Sequence, residues 1–154
     1  MLEKGDAAPE FEMKDASGKS WRLTDLKGQK VILYFYPADD TPGCTKESCD
    51  FRDSSADLAK AGYIVLGVSP QGAASHQRFA EKYSLNFPLL VDEDLAATRS
   101  FGAYKELGDY EGIPLKVKRS TFVIDEDGRI ELAEYGVRAK GHVEDLRSKL
   151  GVPV

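Results

Sequence analysis

The strongest constraint on this chain is the stretch from Val31 to Cys49. It runs from an unbroken apolar segment through a short polar turn into a helix start, and it contains both cysteines of the protein. Val31-Ile32-Leu33-Tyr34-Phe35-Tyr36 is apolar or aromatic throughout. Such a run, bounded by turn signals, predicts a strand buried on both faces, typical of a parallel sheet. Pro37 ends it, because proline cannot donate to a strand ladder, and Asp39 and Asp40 read as turn residues. Thr41 stands where a helix N-cap belongs. Pro42 follows at the first helical position, where its missing N–H costs nothing. On that register Cys44 falls in the first turn, where backbone N–H groups have no intrahelical partner and the helix dipole is positive. A thiolate is favoured in such a place.

From Cys44, the residues Ser48, Phe51, Ser55 and Leu58 follow at helical spacing and predict the stripe that packs on a sheet. Cys49 is five residues on, roughly 140° around the helix at 100° per residue, so the two sulfurs face different directions. Glu47 reads as an exposed helical glutamate. Gly62 is a C-cap candidate, which ends the helix near Lys60.

The rest of the chain alternates strand and helix signals. Phe11 to Met13 and Ser20 to Leu23 flank Asp15-Ala16-Ser17-Gly18 as a hairpin, with Trp21 as core or hairpin packing. Thr24 to Gly28 is a turn. Strands are expected over Tyr63–Val68 and Phe87–Val91, and helices over Ala74–Tyr83 and Leu95–Phe101. Gly102 to Lys118 reads as loop. Ser120–Ile124 and Arg129–Tyr135 form a second hairpin about Asp125-Glu126-Asp127-Gly128, and Gly141–Leu150 is an amphipathic helix. Strand and helix in alternation, short connections and right-handed crossovers predict a three-layer α/β sandwich.

No metal or cofactor is expected. The two histidines, His76 and His142, read as solvated or surface residues without a partner ligand. Asp92-Glu93-Asp94 reads as a turn leading acidic residues into a helix N-terminus. Asp125 to Gly128 lacks the spacing of an EF-hand calcium loop, and there is no Gly-rich phosphate loop. The 154 residues suit one domain over positions 1–154. A net charge of −5 gives no footprint for nucleic acid or an anionic membrane, and no apolar run has transmembrane length. Glu3, Lys4 and Asp6 interrupt the N-terminus, so no signal peptide is visible and a cytoplasmic location is expected. Two cysteines there are reactive or buried, not a disulfide scaffold.

Pro37-x-x-x-Thr41-x-x-Cys44 resembles the active-site motif of the peroxiredoxins, and the second cysteine in Thr41-Pro42-Gly43-Cys44-Thr45-x-x-x-Cys49 is similar to their bacterioferritin-comigratory, or Q-type, branch. The resemblance extends over Ala61–Ser69, Asn86–Asp94 and Arg119–Asp125. It implies a thioredoxin-like α/β fold with an added N-terminal β-hairpin and a thiol-dependent peroxidase. In that reading Cys44 is the peroxidatic cysteine and Cys49 the resolving one. The Thr41 hydroxyl and the backbone N–H groups of Gly43 and Cys44 hold the peroxide, Pro37 shields the sulfur, and Arg119 supplies the cation. The implied partners are hydrogen peroxide or organic hydroperoxides and thioredoxin or a similar dithiol reductant. A monomer is expected, because both cysteines lie in one helix. The link Gly112 to Lys118 is longer than the family pattern, and Ala103-Tyr104 differs from it; the resemblance places both near the rim of the site.

The chemistry makes separate demands. A free thiol with a pKa of about 8.5 is only a few per cent ionised at pH 7. Lowering that value to about 6 gains at most roughly thirtyfold in thiolate, while enzymatic accelerations begin near a millionfold. Most of the effect must come from donors aimed at the transition state. Two other readings stay open. A general disulfide oxidoreductase on the same fold predicts two residues between the cysteines, and this chain has four. A redox-sensing or chaperone-like binding protein would only report oxidation. Peroxide consumption separates the first reading from both.

Overall fold

The computed structural model describes residues 1–153. The N-terminal hairpin pairs β1 (Glu12–Asp15) with β2 (Ser20–Arg22). Its turn is organised by the Asp15 carboxylate, which accepts from the N–H groups of Ser17 and Lys19 and from the Trp21 indole. Trp21 thereby holds the hairpin. A short 3-10 turn, Leu23–Leu26, leads into β3 (Lys30–Phe35). There follow α1 (Pro42–Lys60), β4 (Tyr63–Ser69), α2 (Ala73–Tyr83), β5 (Leu89–Val91) and α3 (Ala96–Ser100). The chain closes with β6 (Asp109–Tyr110), β7 (Ile113–Pro114), β8 (Ser120–Ile124), β9 (Ile130–Tyr135) and α4 (His142–Lys149).

Seven strands form one mixed sheet in the order β2-β1-β5-β4-β3-β8-β9. β3 lies inside it, parallel to β4 and antiparallel to β8. Successive strand residues point to opposite faces, so the apolar run from Val31 to Tyr36, most of it in β3, feeds two cores at once. Val31, Leu33 and Phe35 join Phe11, Leu66, Phe101 and Phe122 on one side. Ile32, Tyr34 and Tyr36 join Phe51 and Leu58 of α1, Phe79 of α2 and Leu146 of α4 on the other. The layers are therefore α1, α2 and α4, then the sheet, then α3 with the N-terminal segment. Gly67 in β4 makes this packing possible, since a Cβ there would lie 2.9 Å from the Tyr34 ring and its hydroxyl.

The segment expected to be loop from Gly102 to Lys118 carries the small β6–β7 hairpin and a bridge between Tyr104 and Val117. Its flanks are joined by Lys105 N–H to the Lys116 carbonyl and Leu107 N–H to the Leu115 carbonyl. The Arg99 guanidinium sits 3.9 Å over the Tyr104 ring. Strands of two residues, flanked by Gly108 and Gly112 and with Pro114 inside one of them, are too short for alternation to register. The short strand after Asn86 begins at Leu89, not Phe87. Asp92 caps α3 as the acidic turn suggests, accepting from the N–H groups of Ala97 and Thr98 and the Thr98 hydroxyl. Among the described residues no helix is long and apolar enough to cross a membrane.

Candidate active site

Helix α1 begins directly after the loop that leaves β3, so the buried strand fixes where its first turn lies. The first intrahelical bond is Thr45 N–H to the Thr41 carbonyl, 2.8 Å. The N–H groups of Gly43 and Cys44 come before it and point out of the helix end. Thr41 is the N-cap residue with extended backbone, but its side chain does not cap. Its hydroxyl instead donates to the Ala38 carbonyl at 2.8 Å. That differs from the cap expected of it, and it leaves the two N–H groups uncovered. With its hydrogen committed, the Thr41 hydroxyl oxygen is left with acceptor capacity only. Pro37 and Ala38 are buried, and Thr41 is nearly so.

Cys44 is 1% exposed. Arg119, immediately before β8, donates from Nη2 to Cys44 Sγ at 3.3 Å and from Nη1 to Glu47 Oε1 at 2.7 Å. The guanidinium thus spans two residues one helical turn apart. Its approach needs Gly43, since a Cβ there would lie 3.0 Å from Arg119 Nη2 and 3.6 Å from the Ala139 methyl.

Glu47 is fully buried, which corrects its reading as an exposed helical residue. Removal from water raises its pKa from 4.5 to about 7, against the pull of Arg119. Its second oxygen, Oε2, has no hydrogen-bond partner among the described residues and lies 4.0 Å from His142 Nε2. His142 is also buried, not on the surface: Nε2 meets the Thr121 hydroxyl at 2.8 Å. Burial lowers its pKa below 6.5 and keeps the ring neutral at physiological pH.

The stripe of α1 that faces the sheet is Cys44, Glu47, Ser48, Phe51, Ser54 and Leu58. Ser54 replaces the expected Ser55, which is only half-buried. The Ser48 hydroxyl pairs with the Tyr34 hydroxyl at 2.8 Å, and Phe51 stacks on the Tyr34 ring at 4.5 Å. Cys49 is half-buried, and both thiols are free. Of the residues singled out in the sequence, Thr41, Gly43, Cys44 and Arg119 converge at one helix end, while Cys49 sits on a different side of an intact helix.

His76 also departs from its reading. It is fully buried in α2, not solvated. Nδ1 meets Asp39 Oδ2 at 2.6 Å and Nε2 meets the Leu90 carbonyl at 2.8 Å. Asp39 Oδ1 accepts from the Tyr36 hydroxyl at 2.6 Å, and Oδ2 accepts from Ser75 at 2.8 Å. Burial and the adjoining carboxylate push the Tyr36 pKa well up, so that hydroxyl stays a donor.

Comparison with known proteins bears on this arrangement. Residues 4–133 match the model of the AhpC/TSA family. A Mycobacterium tuberculosis protein whose name places it among the peroxiredoxins is 48% identical over 98% of this chain and 96% of its own length. Peroxiredoxin Bcp of Bacillus subtilis is 40% identical over 97% and 95%. The solved structure of the bacterioferritin comigratory protein of Xanthomonas campestris superposes with a TM-score of 0.86 at 34% identity, covering 98% of this chain and 96% of that one. The mixed sheet between helical layers is thus the thioredoxin-like architecture of those enzymes, and the chain belongs to the AhpC/TSA family, among the peroxiredoxins of the bacterioferritin-comigratory or Q type.

Proposed function

We propose that this peroxiredoxin reduces hydrogen peroxide and organic hydroperoxides through Cys44, that Cys49 resolves the product as an intramolecular disulfide, and that thioredoxin or a similar dithiol protein returns it to the free thiols. The observation that carries the reading is the Arg119 guanidinium, 3.3 Å from Cys44 Sγ at a helix end whose N–H groups are uncapped. Guanidinium is charged at every working pH and donates in two directions. Here one arm faces the sulfur and the other is held by Glu47.

In the first step the Cys44 thiolate attacks one peroxide oxygen. The O–O bond breaks, the sulfur becomes a sulfenic acid, and the other oxygen leaves as hydroxide or alkoxide that takes a proton. The Thr41 oxygen accepts from the hydroperoxide O–H. The N–H groups of Gly43 and Cys44 and the guanidinium face the oxygen on which charge develops, where fixed donors contribute most. Pro37, buried beside this loop, keeps water from the sulfur. The alkyl peroxide reduction activity of the Xanthomonas campestris protein favours including organic hydroperoxides among the substrates.

In the second step the Cys49 sulfur attacks the sulfenic sulfur, forming the disulfide and releasing water. In an unbroken helix, residues five apart have Cα atoms roughly 8–9 Å apart, beyond the limit of about 7 Å for a disulfide. The first turns of α1 must therefore unwind in each cycle, and helix ends open at low free-energy cost. The cycle needs no second chain, in keeping with a monomer built as one domain over positions 1–154. Two free thiols and a dithiol partner fit a reducing compartment, the cytoplasm.

The test is peroxide consumption coupled to a thioredoxin system. The protein should turn over peroxide, and Cys44→Ser should abolish it because the nucleophile is gone. Turnover retained by that variant would move the peroxidatic role to Cys49 and overturn the assignment.

A further inference from the structure

The loop that carries Thr41 is gripped from below by a buried polar cluster outside the cradle. Tyr36, at the end of the β3 segment, donates to Asp39. Ser75 and His76 of α2 meet the other Asp39 oxygen, and His76 Nε2 meets the Leu90 carbonyl in β5. Asp39 and His76 are 7% and 0% exposed. A carbonyl oxygen only accepts, so Nε2 carries a hydrogen. The 2.6 Å contact between Nδ1 and a carboxylate oxygen then requires a second hydrogen between those two atoms. His76 is thereby a rigid brace from β5 through α2 to the loop, with both ring nitrogens committed.

A second tie lies beside it. Asp40 adopts the left-handed region, φ 57°, and its carboxylate accepts from Lys82 Nζ at 2.7 Å and the Tyr83 hydroxyl at 2.6 Å. Consecutive aspartates thus pin one loop to the start and the end of α2. The Ala38 carbonyl, next to Asp39, is the acceptor that fixes the Thr41 hydroxyl. The path is therefore continuous: Leu90, His76, Asp39, Ala38, Thr41.

We propose that His76 is a positioning residue for the peroxide step: through Asp39 it fixes the Ala38 carbonyl, and through that carbonyl the direction in which Thr41 presents its oxygen to the substrate. The inference rests on the reading of Cys44 as the attacking sulfur with Thr41 in its cradle. It assigns His76 no contact with peroxide and no part in activating the thiol. A displacement of about 1 Å in a positioning group costs on the order of a hundredfold in rate, which sets the expected size of the effect.

Two second-order rates on the reduced protein test it: reaction with hydrogen peroxide, and alkylation by iodoacetamide, which needs the Cys44 sulfur but not the peroxide cradle. Both are read in a Cys49→Ser background, so that alkylation reports one thiol. His76→Ala should slow the peroxide reaction by about a hundredfold and leave alkylation within about threefold. Asp39→Asn should cost less than His76→Ala, with the peroxide rate within about tenfold of the parent. Its carbonyl can accept from Tyr36 while its amide donates to a His76 that keeps its hydrogen on Nε2. A parental peroxide rate in folded His76→Ala overturns the inference, as does a parallel fall in both rates, which would place the effect on the sulfur. A loss in Asp39→Asn equal to that in His76→Ala would assign the effect to the Asp39 charge and also overturn it. If His76→Ala does not fold, His76→Asn preserves a donor toward Asp39 but cannot reach Leu90, and a peroxide rate about tenfold down is expected; a parental rate there overturns the brace. If the parent does not reduce peroxide at all, the reading of Cys44 fails first, and the two failures are distinct.

Discussion

Glu47→Gln isolates the charge behind Arg119. The carboxyl is fully buried, its Oε2 has no partner among the described residues, and removal from water raises its pKa from 4.5 to about 7 in the fold, with Arg119 opposing. Between those two values the folded protein holds a proton that the unfolded chain has released. Unfolding therefore becomes easier as pH rises, and the stability present below 4.5 is lost as pH passes through about 7. The gap of about 2.5 pH units, at 1.36 kcal/mol each, amounts to about 3 kcal/mol in full. Roughly 2.5 kcal/mol of it falls between pH 5 and pH 8. Glutamine keeps an acceptor for Arg119 Nη1 and cannot titrate. Urea unfolding of the reduced protein at pH 5 and pH 8 should show the parent losing about 2.5 kcal/mol more than Glu47→Gln over that interval. Parallel pH profiles for the two proteins would mean that Glu47 is ionised throughout, and would refute the argument from its burial.

Arg119→Ala should slow the peroxide reaction by about a hundredfold to a thousandfold at a pH where the thiols of both proteins are fully ionised, because on the proposed mechanism the lost donor faces the leaving oxygen; equal rates at that pH would reduce Arg119 to an effect on ionisation alone. Amide exchange across Gly43 to Arg52 should quicken in the disulfide form, and unchanged protection in a fully oxidised sample would rule out Cys49 as the resolving residue within the chain. Sedimentation of the reduced protein should show a monomer, or at most a weak dimer, and a stable decamer would contradict the self-contained cycle.

The course of β3 and α1 was legible because the apolar run, Pro37, Pro42 and Gly62 are all local signals. Arg119 lies against Cys44 at the helix end that Thr41 opens. The polar residues buried around them were not legible. Glu47 finds its cation 72 positions away, His76 its carboxylate 37 positions away and His142 its hydroxyl 21 positions away. A charged or imidazole side chain is assigned to solvent by default, because its burial depends on a partner that local pattern cannot supply. One signal was available for Glu47: it lies three residues after Cys44, on the stripe that packs inward. Thr41 sat at the cap position as expected, but the choice between its own helix and the Ala38 carbonyl belongs to the loop, which Asp39 and Asp40 shape through α2.

The unbroken helix between Cys44 and Cys49 also bears on electron flow. On the proposed cycle, closing the disulfide melts the first turns of α1, and reduction lets them re-form. Re-formed helix favours the dithiol, so the pair has a less negative reduction potential than the same two cysteines in an unstructured loop. Every 1.4 kcal/mol of helix regained raises it by about 30 mV. The amount regained is bounded by the part that stays fixed: Phe51 stacked on Tyr34, and Arg147 of α4 holding Ser54 at 3.0 Å and Asp57 at 2.8 Å. A longer mobile segment would make the couple more oxidising and a shorter one would prevent the sulfurs from meeting. The anchors on α1 thereby tune how readily the oxidised enzyme accepts electrons from a more reducing dithiol.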